Sequence, residues 1–581
     1  MPTQNALTTL MRHLQTTESI IDSSTDVKQS EVKKSIDERS SRQTTRTLQK
    51  SLASATAKLF TLNLETATIA DIHLAFEAKT LTVEQLVQLY LNRIETYDKQ
   101  GPAINALISI NPNALATARL LDQFMPQKLS SLYGIPIILK DNFNTIDLPT
   151  TGGSAVLANS IPPEDAVVVK RLKEAGAIIL GKANMSEFAL SAGRLGYSSQ
   201  GGLTLNPYDL NRDASGSSSG SAAAIAANFA VFSTGSDTAG SIRGPASFTG
   251  LVGIKPTSGL ISPKGVIPLA PSVEANGPIA KTVTDAAIGL GVMAGLSSNN
   301  SATLGSIAKP FKDYTQFLDV DALKGARIGI VRDFLSGNPE VDQIFQDALG
   351  TLSSLGATVV EVKLSSDGLA VDSYGHLLDS IIQSEFFPQI ETYLQTLDDA
   401  YPKTLKALIE ASLDSDLMSS NTPVNPNRIA LYQASIETGG LSNSEYVAAI
   451  AQRLDLQDAV FSTFSLSNLD ALVYPTVDGL PSLTKANNSN ELKDSIFPHD
   501  FDSIKNDPYR VGYLANLTGF PDITVPAGFT QSALPVGLSF FAPAYSEPKL
   551  LGLAYAFEQA TKVRRNPVNT PPLFGEAIGG E

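Results

Sequence analysis

The sequence predicts an α/β protein built in layers, and three observations carry that reading. Apolar runs of strand length alternate with amphipathic helical stretches, the pattern that sets helices against a sheet. At 581 residues the chain exceeds what one ordinary hydrophobic core supports, so it forms one large α/β domain with embellishments, or two to three domains. Hydrophobic residues make up 43% of it and charged residues 17%. That charged share lies below the roughly 25% of typical globular chains, as expected when much of a large body is buried.

The elements follow in order. Residues 1–62 are rich in Ser, Thr, Gln and Lys, and Leu7, Leu10, Met11 and Leu14 suggest one short amphipathic helix. This stretch reads as a surface-packed or partly disordered extension. A globular pattern opens near Thr66, and the main domain spans residues 63–570. Thr82 and Gln85 fit a capping box, with Val83, Leu86, Val87, Tyr90, Leu91 and Ile94 on one helical face. Residues 101–124 read as a strand and then a helix. The apolar run 135–139 reads as a buried strand that delivers Lys140 at its end. Residues 166–183 give a helix, a turn at Gly176 and a strand. The Ala-rich run 222–229 suits a buried helix. After Thr257 the pattern is a loop region and a helix, and 321–331 opens a second segment with a strand. Residues from about 335 to 465 read as a mostly helical, lid-like insertion. The run 471–476 returns to a buried strand, and 480–508 is polar and loop-like. Two strands and a closing helix complete the domain, and 571–581 form a loosely attached tail.

Composition excludes several classes of function. The net charge of −15 argues against nucleic acid and against an anionic membrane surface, because both need a basic field. With no cysteine, disulfides, thiol catalysis and cysteine-held zinc are excluded. The four histidines, His13, His73, His376 and His499, show no metal-ligand spacing, so neither a metal nor a cofactor is expected. The N-terminus has no apolar core of signal-peptide type, and no apolar run reaches about 18 residues. The expectation is a cytoplasmic protein without a membrane span, monomeric or homodimeric.

Chemistry concentrates between Ala214 and Thr257, where two clusters of small residues flank an apolar run. A serine nucleophile needs a base within hydrogen-bond reach and donors aimed at the developing oxyanion. No histidine lies near these clusters. A lysine can serve if burial lowers its pKa toward neutrality, and Lys140 follows five apolar residues. The same position also suits a strand-end lysine that snorkels to solvent. The cluster SGSSSGS could be a flexible linker, but it runs straight into the apolar run 222–229. It also fits a G-x-S-x-G elbow with Ser218 as nucleophile, although the residues before it are polar turn formers and not a strand. In TGSDTAGSIRGPASF, small residues before Ser241 would let backbone N–H groups turn inward as an oxyanion nest; a helix cap at Ser241 is the other reading.

The ordered set GIPIILKDN, SGSSSGSAAAIAAN and GSDTAGSIRGPASFTGLVGIKPT resembles the amidase signature family. The resemblance runs from about residue 66 to 565 and includes GKANMSEFA, ALVYPT and GFPDITVPAG. Within the family the chain looks closest to bacterial peptide amidases. The resemblance implies a large mixed, twisted β-sheet covered by helices on both faces. It implies a Ser–cis-Ser–Lys triad with Ser241 as nucleophile, Ser217 after a cis peptide bond as relay, and Lys140 as base. The backbone N–H groups of Thr238, Ala239 and Gly240 would form the oxyanion hole, with Ser218 and Asp237 as orienting neighbours. Ser215, Ser219 and Ala239 stand where the family pattern carries glycine, and Ala239 raises the question whether the oxyanion turn accepts a Cβ.

The expected activity is hydrolysis of C-terminal peptide amides or related primary carboxamides through an acyl-enzyme, with no cofactor. Hydrolysis of fatty-acid amides, aryl acylamides or carbamates is an alternative. So is the glutaminase-type component of a tRNA-dependent amidotransferase, which needs partner subunits. A silent binding protein would have no use for intact Lys140, Ser217 and Ser241.

Overall fold

The computed structural model describes residues 62–576, except 191–193, 296–309, 336–337, 365–370 and 485–508. The helix suggested near Leu7, and most of the polar loop 480–508, lie outside the described residues.

Fifteen strands organise the described chain: β1 (Leu107–Ile110), β2 (Pro136–Lys140), β3 (Ile178–Ala183), β4 (Tyr197–Ser198), β5 (Gly202–Leu203), β6 (Leu205–Asn206), β7 (Asp209–Asp213), β8 (Phe232–Asp237), β9 (Val252–Lys255), β10 (Ala275–Ala280), β11 (Arg327–Ile330), β12 (Thr358–Glu361), β13 (Ala471–Pro475), β14 (Asp522–Phe529) and β15 (Pro535–Phe541). Eleven of them form one sheet in the order β1-β3-β2-β8-β10-β9-β14-β15-β13-β11-β12. It is mixed. β2 runs parallel to β3 and β8, and β11 parallel to β12 and β13; the pairs between these groups are antiparallel. β4–β5 and β6–β7 are separate small hairpins.

β2 and β13 are buried along their whole length, which is why 135–139 and 471–476 read as continuous apolar runs and not as alternating ones. The capping box at Thr82 is present, and the helix it starts, Val83–Tyr97, buries Val83, Leu86, Val87, Tyr90 and Ile94. Helix Val167–Glu174 ends before Gly176, which takes φ +87°.

Three local expectations change. First, the helix in the Ser/Gly cluster is Ser219–Ala226, so the cluster itself enters it. All of its residues are buried, and apart from Ile225 they are Ser, Gly or Ala, small enough for neighbours to pack on every side. Second, the polar residues before that cluster form β7 and not only turns. Third, 275–280 is β10, a central strand. Its sequence, ANGPIA, carries Gly and Pro, which mask a strand signal. The 335–465 stretch holds the helices Pro339–Ser354, Tyr374–Leu394, Leu405–Ser412, Pro426–Glu437 and Ser444–Ser467, but also β12, which belongs to the edge of the main sheet. Phe386 and Tyr432 stack at 5.5 Å between two of these helices.

Candidate active site

The site forms where β2 and β8 end side by side. Lys140 is the last residue of β2 and is fully buried. Its backbone N–H donates to Thr234 Oγ1 on β8 at 3.0 Å. Its Nζ lies 2.8 Å from Ser217 Oγ, 2.8 Å from Ser236 Oγ and 3.2 Å from the Ser236 carbonyl. Asn142 Nδ2 donates to Ser236 Oγ at 3.0 Å and so orients that hydroxyl. Burial drives the Lys140 pKa down to about 7, against an upward pull from Asp237 and Glu274. The lysine does not snorkel.

Ser217 is fully buried, and the Gly216–Ser217 peptide bond is cis. The Ser217 carbonyl accepts the Ser186 N–H at 3.1 Å, which ties this turn to the loop after β3. The Ser218 N–H donates to the Ser241 carbonyl at 3.2 Å, so the two serine-bearing turns are joined through their backbones. Ser241 sits just beyond the end of β8, at 4% exposure. Among the described residues its Oγ makes no hydrogen bond. It does not cap the following helix, Arg243–Phe248, which has Ile242 at its N-cap and no side-chain cap bond.

Ser218 follows strand β7 and precedes a helix, so the surroundings of an elbow are present after all. Yet Ser218 is fully buried and its Oγ donates to the Ser236 carbonyl at 3.2 Å. It braces the strand end and is not presented to a substrate.

Asp237 organises the turn that carries Ser241. Its Oδ1 accepts the Gly240 N–H at 2.8 Å, and its Oδ2 accepts the Ile242 N–H at 3.0 Å. Arg243 Nε donates to Asp237 Oδ2 at 3.0 Å, and Asn516 Nδ2 donates to Asp237 Oδ1 at 3.0 Å. Burial raises the Asp237 pKa, but the Arg243 charge and these hydrogen bonds outweigh it and hold the carboxyl well below the usual range. The turn differs from the expected oxyanion hole in one respect: the Gly240 N–H already has Asp237 as its acceptor. Among the described residues no acceptor faces the N–H groups of Thr238 and Ala239. The left-handed position is Gly240, at φ +87°, and Ala239 is not in that region, so the turn accommodates the Ala239 side chain.

Sequence reasoning missed the partners supplied from far along the chain. Arg243 also donates to Asp522 Oδ2 at 2.7 Å and to Asn516 Oδ1 at 2.7 Å, and Tyr474 Oη donates to Asp522 Oδ2 at 2.6 Å. Arg243 stood in the quoted motif, but nothing in the sequence pairs it with Asn516 or Asp522. Among the described residues no group of three or more His, Asp or Glu is placed to hold a metal ion, and no helix is long and apolar enough to cross a membrane.

The chain is similar to known proteins in sequence and in fold. The sequence model of the Amidase family matches residues 85–551. The chain belongs to the amidase signature family. It is similar in structure to the peptide amidase of Stenotrophomonas maltophilia, with a TM-score of 0.77 and 34% identity, covering 87% of this chain and 99% of that one. It is 34% identical to a glutamyl-tRNA(Gln) amidotransferase subunit from Alkaliphilus metalliredigens, over 86% of this chain and 97% of the relative. It is also 34% identical to a probable amidase of Arabidopsis thaliana, over 87% and 92%. As a member of this family the chain is an amide hydrolase acting on carbon–nitrogen bonds.

Proposed function

We propose that this amidase hydrolyses C-terminal peptide amides or related primary carboxamides, with Ser241 as nucleophile, Ser217 as proton relay and Lys140 as base. The observation that carries the reading is the 2.8 Å contact between Lys140 Nζ and Ser217 Oγ in a fully buried site where the lysine sheds its proton near pH 7. Neutral Lys140 takes the Ser217 proton, and Ser217 takes that of Ser241. Ser241 attacks the amide carbonyl, and its oxyanion is met by the Thr238 and Ala239 N–H groups. The proton returns to the departing ammonia or amine, and water then cleaves the ester by the same relay. Asp237 and Ser218 hold the turns in place.

The peptide-amide reading is supported by the 99% coverage of the Stenotrophomonas enzyme. The glutaminase-type reading is supported by equal identity to the Alkaliphilus protein, 34% in each case. Ammonia release from C-terminal peptide amides, free glutamine, fatty-acid amides and acyl anilides separates them. The proposal expects peptide amides to be deamidated by the chain alone, with Ser241→Ala and Lys140→Ala inactive. Turnover confined to glutamine in the presence of partner subunits would replace it with the second reading.

A further inference from the structure

We infer that Tyr509 is a positioning residue for the two serines: its hydroxyl holds the turn that carries Ser217, and its ring walls the turn that carries Ser241. The inference rests on the roles proposed above for those serines. Tyr509 Oη lies 2.8 Å from Ser215 Oγ, 294 positions away in the chain. Ser215 stands at φ +63°, the left-handed region in which a side chain is crowded and glycine is favoured. Its N–H donates to Asp213 Oδ1 at 3.0 Å, and Arg194 Nη1 lies 3.6 Å from Asp213 Oδ2. Ser215 is thus held at its amide and at its hydroxyl, two residues before Ser217.

The ring faces the other turn. A Cβ placed on Gly244 would stand 2.7 Å from Tyr509 Cε1 and 2.9 Å from Ser215 Oγ, so only glycine fits there. A Cβ on Gly240 would stand 3.7 Å from Tyr509 Cδ1. Gly240 and Gly244 flank Ser241 and are joined by an N–H···O bond of 2.8 Å. The Tyr509 ring also packs on Phe248, centroids 6.2 Å apart. Arg510, the next residue, anchors the segment through Asp478 at 3.4 Å. One side chain therefore touches both serine-bearing turns and holds their spacing.

Tyr509→Phe removes a single oxygen. Its expected effect is a kcat lower by about tenfold, the worth of one orienting hydrogen bond. KM stays within about twofold, and the pH limb set by Lys140 does not move, because the Lys140 contacts are untouched. Ser215→Gly placed in the Tyr509→Phe background restores kcat, because glycine adopts the left-handed conformation without a hydroxyl anchor. A wild-type kcat in Tyr509→Phe overturns the inference, as does a loss seen in KM alone. A double variant no faster than Tyr509→Phe also overturns it. If Ser241→Ala and Lys140→Ala keep their activity, the reading of the whole site fails. If both are inactive and Tyr509→Phe is as fast as wild type, only the role of Tyr509 fails.

Discussion

Two lysines at neighbouring strand ends meet opposite fates. Lys140 on β2 and Lys182 on β3 are both fully buried, and the strand register sets Lys182 opposite Leu139, one residue from Lys140. Burial pushes both pKa values down. Lys182 has a carboxylate partner, Asp141 Oδ1 at 3.1 Å, and also donates to Thr150 Oγ1 at 2.8 Å. Lys140 has no carboxylate in ion-pair reach among the described residues; it touches two hydroxyls and a carbonyl. A carboxylate stabilises the ammonium and ties the lysine to a structural task, whereas hydroxyls accept the neutral amine as well and leave it able to take a proton. Asp141 follows Lys140 in the chain yet serves Lys182, and this division leaves Lys140 free for the proposed role of base.

The contrast is broken most directly by Lys140→Met. Its kcat/KM should fall by about 10²–10⁴-fold, the range of a lost general base, while the fold persists because no unpaired charge is left behind. Activity within about tenfold of wild type would remove Lys140 from the mechanism. Lys182→Met should act on stability instead. It strands the buried Asp141 carboxylate, costing about 3–5 kcal/mol in urea unfolding, and Asp141→Asn in the same chain should recover part of the loss. If Lys182→Met and Lys140→Met destabilise equally, the assignment of Asp141 to Lys182 alone is wrong.

Proton linkage sharpens the comparison further. With Lys140 at about 7 in the folded protein and about 10.4 unfolded, activity should fall about tenfold per pH unit below 7. Between pH 7 and about 10.4 the unfolded chain holds a proton that folded Lys140 lacks. Stability therefore rises with pH there, by at most about 1.4 kcal/mol per unit from this group. Lys140→Met should flatten that slope in melting curves taken across the window; an unchanged slope would place the titration elsewhere. The smallest effect belongs to Ser236→Ala. It removes one hydroxyl from Lys140 and the acceptor of Asn142, and it should lower kcat about tenfold. A rate equal to wild type would show that Ser217 and the Ser236 carbonyl suffice to orient the lysine.

Much of this site was legible because its residues lie in short segments whose combination is unusual. An apolar run ending in lysine, a hydroxyl-rich cluster entering core, and a small-residue turn with a serine each have an ordinary reading alone, but their order along the chain is distinctive. Lys140, Ser217, Ser218, Asp237 and Ser241 could be named because the three segments together resemble the amidase signature family, whereas most strands and helices of the body followed from local pattern. What stayed hidden had a different cause. β10 escaped because Gly and Pro occupy a central strand. Asn516, Asp522 and Tyr509 escaped because they act on the serine turns from far along the chain, with no local periodicity or motif to mark them.

By itself the sequence determined the frame of the chemistry: a cysteine-free, acidic α/β chain with no histidine near its serine clusters and a lysine, Lys140, at the end of an apolar run. Only the tertiary structure decided that Lys140 and not Lys182 is free of a carboxylate. It also decided that the Gly240 N–H belongs to Asp237, and that Tyr509 spans the two serine turns. The reason is physical. Local propensity and apolar periodicity act over a few residues, whereas a lysine's proton affinity and a turn's rigidity depend on whichever charges and hydroxyls the folded sheet brings within about 3 Å.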